Sequence, residues 1–516
     1  MPSKNAFYIG LMFERAAAQH PSAPVVLDAP LQLAPQDGTE LTLRQLAGHV
    51  RELAARLVAA GVRRADRVAI HKSNNFDIAL LAAAVQRIGA VPALLSPLLD
   101  GDTVSQLLHR LERPWLLTDG DRLDGSGIEL AAARGVLITA GSELPGTERL
   151  DAYAGAPVPA PDVPGPHDPA LITHTSGTTG LPKLVVQTPD ALYQRLRLQK
   201  VVAARTWRQE SVALCMSFVH ARFYTAVQLA IAYGNPLLVA VDPDPAKVGP
   251  LFARYRPGVV ETQPNTFVDW EVLAGAVGRP LSSVRYFSAT FDAMHPRTVQ
   301  VLLGASVRRS PRFFQLYGQT ETGPVAAGSC TLRTALRGGA RSVGWPLPGI
   351  IRMRVVDEQG RRVRRGRTGR VEVRSRTRAV TYLGEDARFR EQLNDGWWRM
   401  GDLGHRDLLG RLYLLDREVD HIESIGSSLE VEDHLMEQLP ELREVVIVAG
   451  ADGGAVPVVC TRDEKPLDEA RWLAATAGLP ALGKVRQLPF DALPLTATSK
   501  VRRSELIRLL EAGVHG

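Results

Sequence analysis

The nine residues Thr175-Ser176-Gly177-Thr178-Thr179-Gly180-Leu181-Pro182-Lys183 constrain this chain more than any other stretch. They follow the apolar run Ala170-Leu171-Ile172-Thr173-His174, which reads as a buried strand. Glycines and small hydroxyl residues let a backbone turn tightly and bring many N–H and O–H donors onto phosphate oxygens. Lys183 adds a point charge. The loop is not a Walker A loop, because Pro182 stands where that pattern does not allow it. Taken alone, the segment also reads as a flexible surface turn.

The flanking sequence supplies a frame for it. TLRQLAGHVRELAARLVAAGV carries apolar residues at helical spacing and ends in glycine. RVAIH then reads as a buried strand and IALLAAAVQRIGA as a second amphipathic helix. This rhythm predicts a parallel α/β sheet. The proline-rich AGAPVPAPDVPGPHDPA reads as a surface connection. A second α/β block is expected from about Ala170 to Ala340, with PLLVAV, PGVVETQ and SSVRYFSAT as strands. Short strands with glycine turns are expected from Arg341 to about Arg378. After LYLLDREVD comes a small αβ unit, with EVVIVAG and VPVVCTR as strands and DEARWLAATAG as a helix. At 516 residues the chain is too long for one compact domain.

Four further segments follow the loop in order. Tyr317-Gly318-Gln319-Thr320-Glu321 offers an aromatic face for a base, a hydroxyl for phosphate and a carboxylate for Mg²⁺. Trp398-Arg399-Met400-Gly401-Asp402 offers an acid able to grip two ribose hydroxyls. Asp416-Arg417-Glu418-Val419-Asp420-His421-Ile422 sits where the pattern changes, and Lys500 lies on a polar loop near the C-terminus.

This set, in this order, resembles the adenylate-forming superfamily, most closely a stand-alone AMP-forming acyl-CoA synthetase, and the resemblance covers nearly the whole chain. It implies a large N-terminal domain, residues 1–416, of α/β subdomains plus a small β-barrel-like region. A small mobile α+β C-terminal domain, 417–516, would carry the catalytic lysine. It implies that Thr175, Ser176, Gly177, Thr178, Thr179, Gly180 and Lys183 hold the ATP phosphates. Tyr317 would stack near adenine, Gly318 and Gln319 would belong to the same nucleotide motif, Thr320 would contact phosphate, and Glu321 would bind Mg²⁺. Ser288, Ala289 and Thr290 align with a strand end that meets adenine and substrate. Asp402 would hold the ribose and Arg417 would stand at the domain junction. His220 would sit near the substrate carboxylate, Lys500 would drive adenylation, and Gly426 aligns with the glycine lining a pantetheine tunnel.

The residue types suit the chemistry. A carboxylate oxygen must attack the α-phosphorus of ATP, and two anions repel. Mg²⁺ on Glu321 and the ammonium of Lys500 can neutralise the growing charge. Positioning and electrostatics carry such a step, and a compact mobile ammonium is not replaced by a planar guanidinium.

The chain departs from the superfamily pattern in places. Ser288-Ala289-Thr290 replaces Gly-Gly-Ala, Val419 replaces an acidic or lysine pivot, Glu423 replaces lysine, and Leu435 replaces a glutamate. The usual Gly-Lys before the last arginine is Ser499-Lys500. These departures touch the thioester-forming half-reaction more than adenylation. The block CMSFVHARFYTAVQ holds no acid for an α-ammonium, so a non-amino acid is expected: aryl, alicyclic or fatty. Pocket candidates are His220, Ala221, Phe223, Ser288, Gly318 and Pro324, although a phenylalanine such as Phe223 is more often core. The expected acceptor is coenzyme A, with a carrier protein's phosphopantetheine arm or an amine as alternatives. A non-catalytic nucleotide-binding protein is the remote one.

Lys and Arg exceed Asp and Glu by 61 to 55. The surplus gathers in GRRVRRGRTGRVEVRSRTR, read as a solvated hairpin or a landing patch for an anionic co-substrate. No aromatic residues interleave with these arginines, which argues against nucleic acid. No stretch suits a membrane span or a signal peptide, and three scattered cysteines fit a reducing cytoplasm.

Overall fold

In a computed structural model of the chain, the described residues are Ser3, 5–175, 180–207, 209–290, 294–337, 342–451, 453–496 and 500–513. Among them, three sheets organise the fold. The first runs edge to edge through Thr381–Tyr382, Leu184–Gln187, Leu171–His174, Val91–Leu94, Arg67–Ile70, Trp115–Thr118, Gly135–Ile138 and Glu148–Arg149. From Leu171–His174 to Glu148–Arg149 its strands pair in parallel. Apart from the edge pair Glu148–Arg149, these strands are almost wholly buried, as helix-covered parallel strands require.

Helix Leu43–Ala59 starts where Thr42 and Gln45 form a reciprocal capping box, an arrangement worth about 1 kcal/mol. Helix Asp77–Arg87 is buried along its whole length, so its polar residues need internal partners. Gln86 accepts from Gly10 N–H at 2.9 Å and donates to Ala170 O at 2.8 Å. Arg87 pairs with Glu14 at 2.5 Å and donates to Pro159 O at 2.8 Å. The Gln86 bond to Ala170 ties this helix to the residue before the phosphate-loop strand.

The second sheet has a parallel centre of Pro24–Leu27, Leu237–Val239, Val212–Cys215, Val259–Thr262 and Tyr286–Ala289, in that order, and continues through Arg312–Gln319 into antiparallel strands. The short strands expected as a barrel-like region join its far edge: Ser342–Pro346, Leu412–Arg417, Trp397–Arg406, Gly369–Ser375 and Ile351–Val356. Hence Tyr317, Asp402 and Arg417 stand on strands of one sheet. The arginine-rich segment becomes the loop and second strand of a hairpin, with Arg361 paired to Asp357 at 3.0 Å and Arg370 to Glu418 at 3.1 Å.

After Arg417 the chain leaves this sheet. Helix Ser428–Gln438 and the antiparallel pair Leu442–Ala449 and Ala455–Thr461 build a third, smaller core around Ile422, Leu435, Leu442 and Trp472, which Val268 also enters. Ser428 N–H donates to the buried Asp416 carboxylate at 3.1 and 3.2 Å, so Asp416 tethers that helix start. Ion pairs then dock this unit on the segment around Phe267–Thr298. Arg443 reaches Asp269 at 2.8 and 3.0 Å, Arg462 reaches Glu271 at 2.9 Å, and His295 Nδ1 lies 2.9 Å from Asp433. Val419 is 79% exposed between the two units. Cys215, Cys330 and Cys460 are buried and free. No described helix is long and apolar enough to cross a membrane.

Candidate active site

The phosphate loop is closed at its neck. Thr175 N–H donates to Lys183 O at 3.0 Å, and Lys183 N–H donates to Thr175 Oγ1 at 3.2 Å. Gly180 has φ +126°, a conformation open to glycine. Ser176, Gly177, Thr178 and Thr179 lie outside the described residues. Behind the loop, buried His174 accepts from Ser96 N–H at Nε2, 3.0 Å, and its Nδ1 lies 2.8 Å from Thr175 O. One acceptor nitrogen and one donor nitrogen describe a neutral imidazole, and burial lowers its pKa accordingly. The Lys183 ammonium lies 4.9 Å from the Tyr382 ring centroid. Burial lowers its pKa, and the Glu321 charge opposes that shift.

The second motif is a hairpin turn held from behind. Register shifts between Tyr317 and Gly318. A Cβ at Gly318 would stand 2.1 Å from Gly323 O, so only glycine fits. Arg195, buried in helix Pro189–Thr206, donates to Thr320 O at 3.1 Å, Glu321 O at 3.3 Å, Thr377 O at 3.0 Å and Gln187 Oε1 at 2.9 Å. Burial pulls its pKa down to about 10, with Glu321 opposing. The Glu321 side chain accepts from Tyr382 O–H at 2.6 Å through Oε1. Its Oε2 carries no hydrogen bond among the described residues. Among those residues no cluster of three His, Cys, Asp or Glu could cage a metal. A half-free carboxylate beside a phosphate loop fits Mg²⁺ held by one acid and nucleotide oxygens.

Tyr317 O–H donates to Asp402, which joins the aromatic expected beside adenine to the acid expected on the ribose. Asp402 and Arg417 face each other across a strand pair, 3.7 Å apart. Gln319 donates to Met400 O and accepts from Trp398 Nε1–H at 3.3 Å.

His220 stands, buried, at the N-terminal boundary of helix Ala221–Ile231 and makes no side-chain capping bond to it. Burial, then the charges of His174 and Lys500, drive its pKa down to about 3. It is therefore neutral at pH 7, and the Lys500 charge acts on it. Lys500 is tied to Thr496: Thr496 N–H donates to Lys500 O at 2.8 Å, and Lys500 N–H to Thr496 Oγ1 at 3.1 Å. Ser288, Ala289 and Thr290 are buried at a strand end, and Thr290 Oγ1 has no hydrogen-bond partner among the described residues. Phe223 is core, packed against Phe76, Phe218 and Tyr224. Gly426 is exposed with φ +73°, and a Cβ there would meet nothing within 4 Å. Its left-handed backbone accounts for glycine without a close-fitting tunnel.

Sequence reasoning missed Arg195, Tyr382 and His174. His174 adjoins the loop, and a histidine ending a buried strand was a legible signal. Arg195 and Tyr382 lie far along the chain from the groups they hold. It also missed an acid: Glu261 enters the substrate block from the strand Val259–Thr262, already paired with Arg222.

A glycine- and hydroxyl-rich loop closed at its neck, Asp402 bonded to Tyr317, and Lys500 acting electrostatically on buried His220 are the arrangement expected of an adenylate-forming enzyme. Residues 13–383 match the AMP-binding enzyme family, and the chain belongs to it. A 3-amino-2-hydroxy-4-methoxybenzoate diazotase of Streptomyces cremeus is 55% identical, with 98% of this chain and 96% of that protein covered. A 3-aminoavenalumate diazotase of a Streptomyces species is 26% identical, over 89% and 88%. Among solved structures, a benzoate CoA ligase from Burkholderia xenovorans LB400 superposes with TM-score 0.81 at 18% identity, over 97% and 99%, a likeness of fold.

Proposed function

We propose that this chain is an ATP-dependent arylamine diazotase that activates nitrite as its AMP anhydride and passes the nitrosyl group to an aminohydroxybenzoate. The 55% identity to a diazotase across 98% of the chain carries this reading. The site chemistry supports it. Nitrite, like a carboxylate, presents two oxygens on a planar anion, so a site built to adenylate one suits the other.

A nitrite oxygen attacks the α-phosphorus, pyrophosphate leaves, and an O=N–O–AMP anhydride forms. The arylamine nitrogen then bonds to the nitrosyl nitrogen, AMP leaves with the N–O electron pair, and the ammonium loses a proton. The resulting nitrosamine tautomerises to a diazohydroxide and loses water on protonation to give the diazonium. No external oxidant is consumed. Lys500 and Lys183 offset phosphate charge; neutral His220 offers hydrogen bonding without adding a cation that would hold nitrite in place. Mg²⁺, when bound, neutralises phosphate charge beside Glu321. Asp402, Tyr317 and Arg417 orient the nucleoside, and the unit after Arg417 swings to bring in and withdraw Lys500.

Coenzyme A or a carrier-protein arm as acceptor is the second reading. It rests on the superfamily resemblance, and the exposed Gly426 gives it little added support. Pyrophosphate release with ATP and Mg²⁺ separates the two. The diazotase reading expects release that needs nitrite and an aminohydroxybenzoate, with a diazo product and indifference to coenzyme A. Release with an aryl acid and coenzyme A in the absence of nitrite overturns it.

A further inference from the structure

The substrate region contains an ion pair that the nucleotide chemistry does not use. Arg222 lies two residues beyond His220, in the first turn of helix Ala221–Ile231. Its Nε and Nη2 donate to Glu261 Oε1 and Oε2, both at 2.6 Å, and Nη1 donates to Gln199 Oε1. The Arg222 side chain is 9% exposed and that of Glu261 0%. Glu261 pairs in register with Ser288 on the next strand. Glu261 is flanked in register by Leu214 on one side and Ser288 on the other, and Arg222 follows His220 by two residues, so the pair joins the helix start behind His220 to the strands that lead to Ser288.

A buried ion pair is a poor device for stability. Desolvation of two charges costs about as much as their attraction returns, and apolar residues of equal volume serve as well or better. Among the described residues three of the five guanidinium N–H groups are occupied, which leaves one on Nη1 and one on Nη2. Glu261 fixes the guanidinium plane so that these two donors are already oriented, and a planar fork matches a carboxylate with two parallel bonds.

We propose that Arg222, fixed by Glu261 and Gln199, is the subsite for the ring carboxylate of the arylamine substrate, the carboxylate that is not activated. The proposal rests on the diazotase reading. In a 3-aminobenzoate the amine and carboxylate are two ring positions apart. With the amine at the nitrite near His220 and Lys500, the carboxylate needs a separate cation deeper in the pocket. The buried hydroxyl of Thr290, which has no hydrogen-bond partner among the described residues, provides a further polar contact at the adjoining strand end.

The test compares 3-amino-2-hydroxybenzoate with 2-aminophenol, the same ring without its carboxylate, in nitrite-dependent pyrophosphate release. The double variant Arg222→Met, Glu261→Leu keeps the volume and leaves no lone buried charge. We expect its KM for the carboxylated ring to rise about thirty-fold, the loss of a charge-assisted bidentate contact. Its kcat and its KM for ATP should stay within about three-fold, as for a contact made equally in ground and transition states, and 2-aminophenol should be affected no more than that. Equal losses for both rings in a folded variant, or no loss for either, overturn the subsite. Should the double variant fail to fold, competition in the wild type decides: benzoate must displace the substrate at least ten-fold better than phenol, and equal competition refutes it. Absence of nitrite-dependent turnover in the wild type would instead refute the diazotase reading. Calorimetric binding of the two rings with AMP present then tests Arg222 alone.

Discussion

Replacing Tyr382 by phenylalanine removes one oxygen atom from the site. The ring is 1% exposed and packs edge-on against Phe389 and Trp398, at 5.1 and 6.3 Å between centroids. Phenylalanine keeps those contacts, so only the 2.6 Å bond to Glu321 Oε1 is lost. A hydrogen bond to a charged group is worth about 2 kcal/mol, which is about thirty-fold in an equilibrium. Freed on one side, the carboxylate no longer holds Oε2 toward the nucleotide metal. We expect the Mg²⁺ concentration for half-maximal pyrophosphate release to rise about thirty-fold, while the melting temperature falls by only about 2–4 °C. An Mg²⁺ dependence moved by less than about three-fold in a folded Tyr382→Phe enzyme refutes the reasoning that Tyr382 aims Glu321.

Lys500→Ala should slow pyrophosphate release about a thousand-fold and leave AMP binding unchanged in calorimetry; a near-normal rate would remove Lys500 from the chemistry. Gly318→Ala forces a Cβ to 2.1 Å from Gly323 O, so activity should be lost with a clear drop in melting temperature, and an unperturbed variant would contradict the bulge. Burial would lower the pKa of His295, but Asp433, Glu444 and Glu432 outweigh it and hold it at about 9, above the usual 6.5. Its contribution to docking the small unit is therefore complete below about pH 6.5 and fades as pH rises through about 9. Proteolysis near Val419 should accelerate over that window in the wild type and not in His295→Gln; identical pH profiles would count against the His295–Asp433 contact.

Local chemistry made much of this protein legible in its sequence. The apolar periodicities placed helix Leu43–Ala59 and the strands Arg67–Ile70, Leu171–His174, Val259–Thr262 and Leu442–Ala449, because each buries its own face whatever its neighbours are. The candidate nucleotide motifs stand out in the sequence because a glycine- and hydroxyl-rich loop, an acid such as Asp402 and a turn needing Gly318 are set by residue type within a few positions. Tertiary structure alone decided what holds them. Arg195 meets Thr320 and Glu321 across 125 and 126 residues of chain, and Tyr382 meets Glu321 across 61. No short-range pattern records such pairings. The block after the phosphate loop reads as lacking an acid, yet Glu261 arrives there from 39 residues beyond Arg222. A strand's partners are fixed only when the sheet assembles, and the low dielectric that gives such a buried pair its meaning exists only once the core has closed around it.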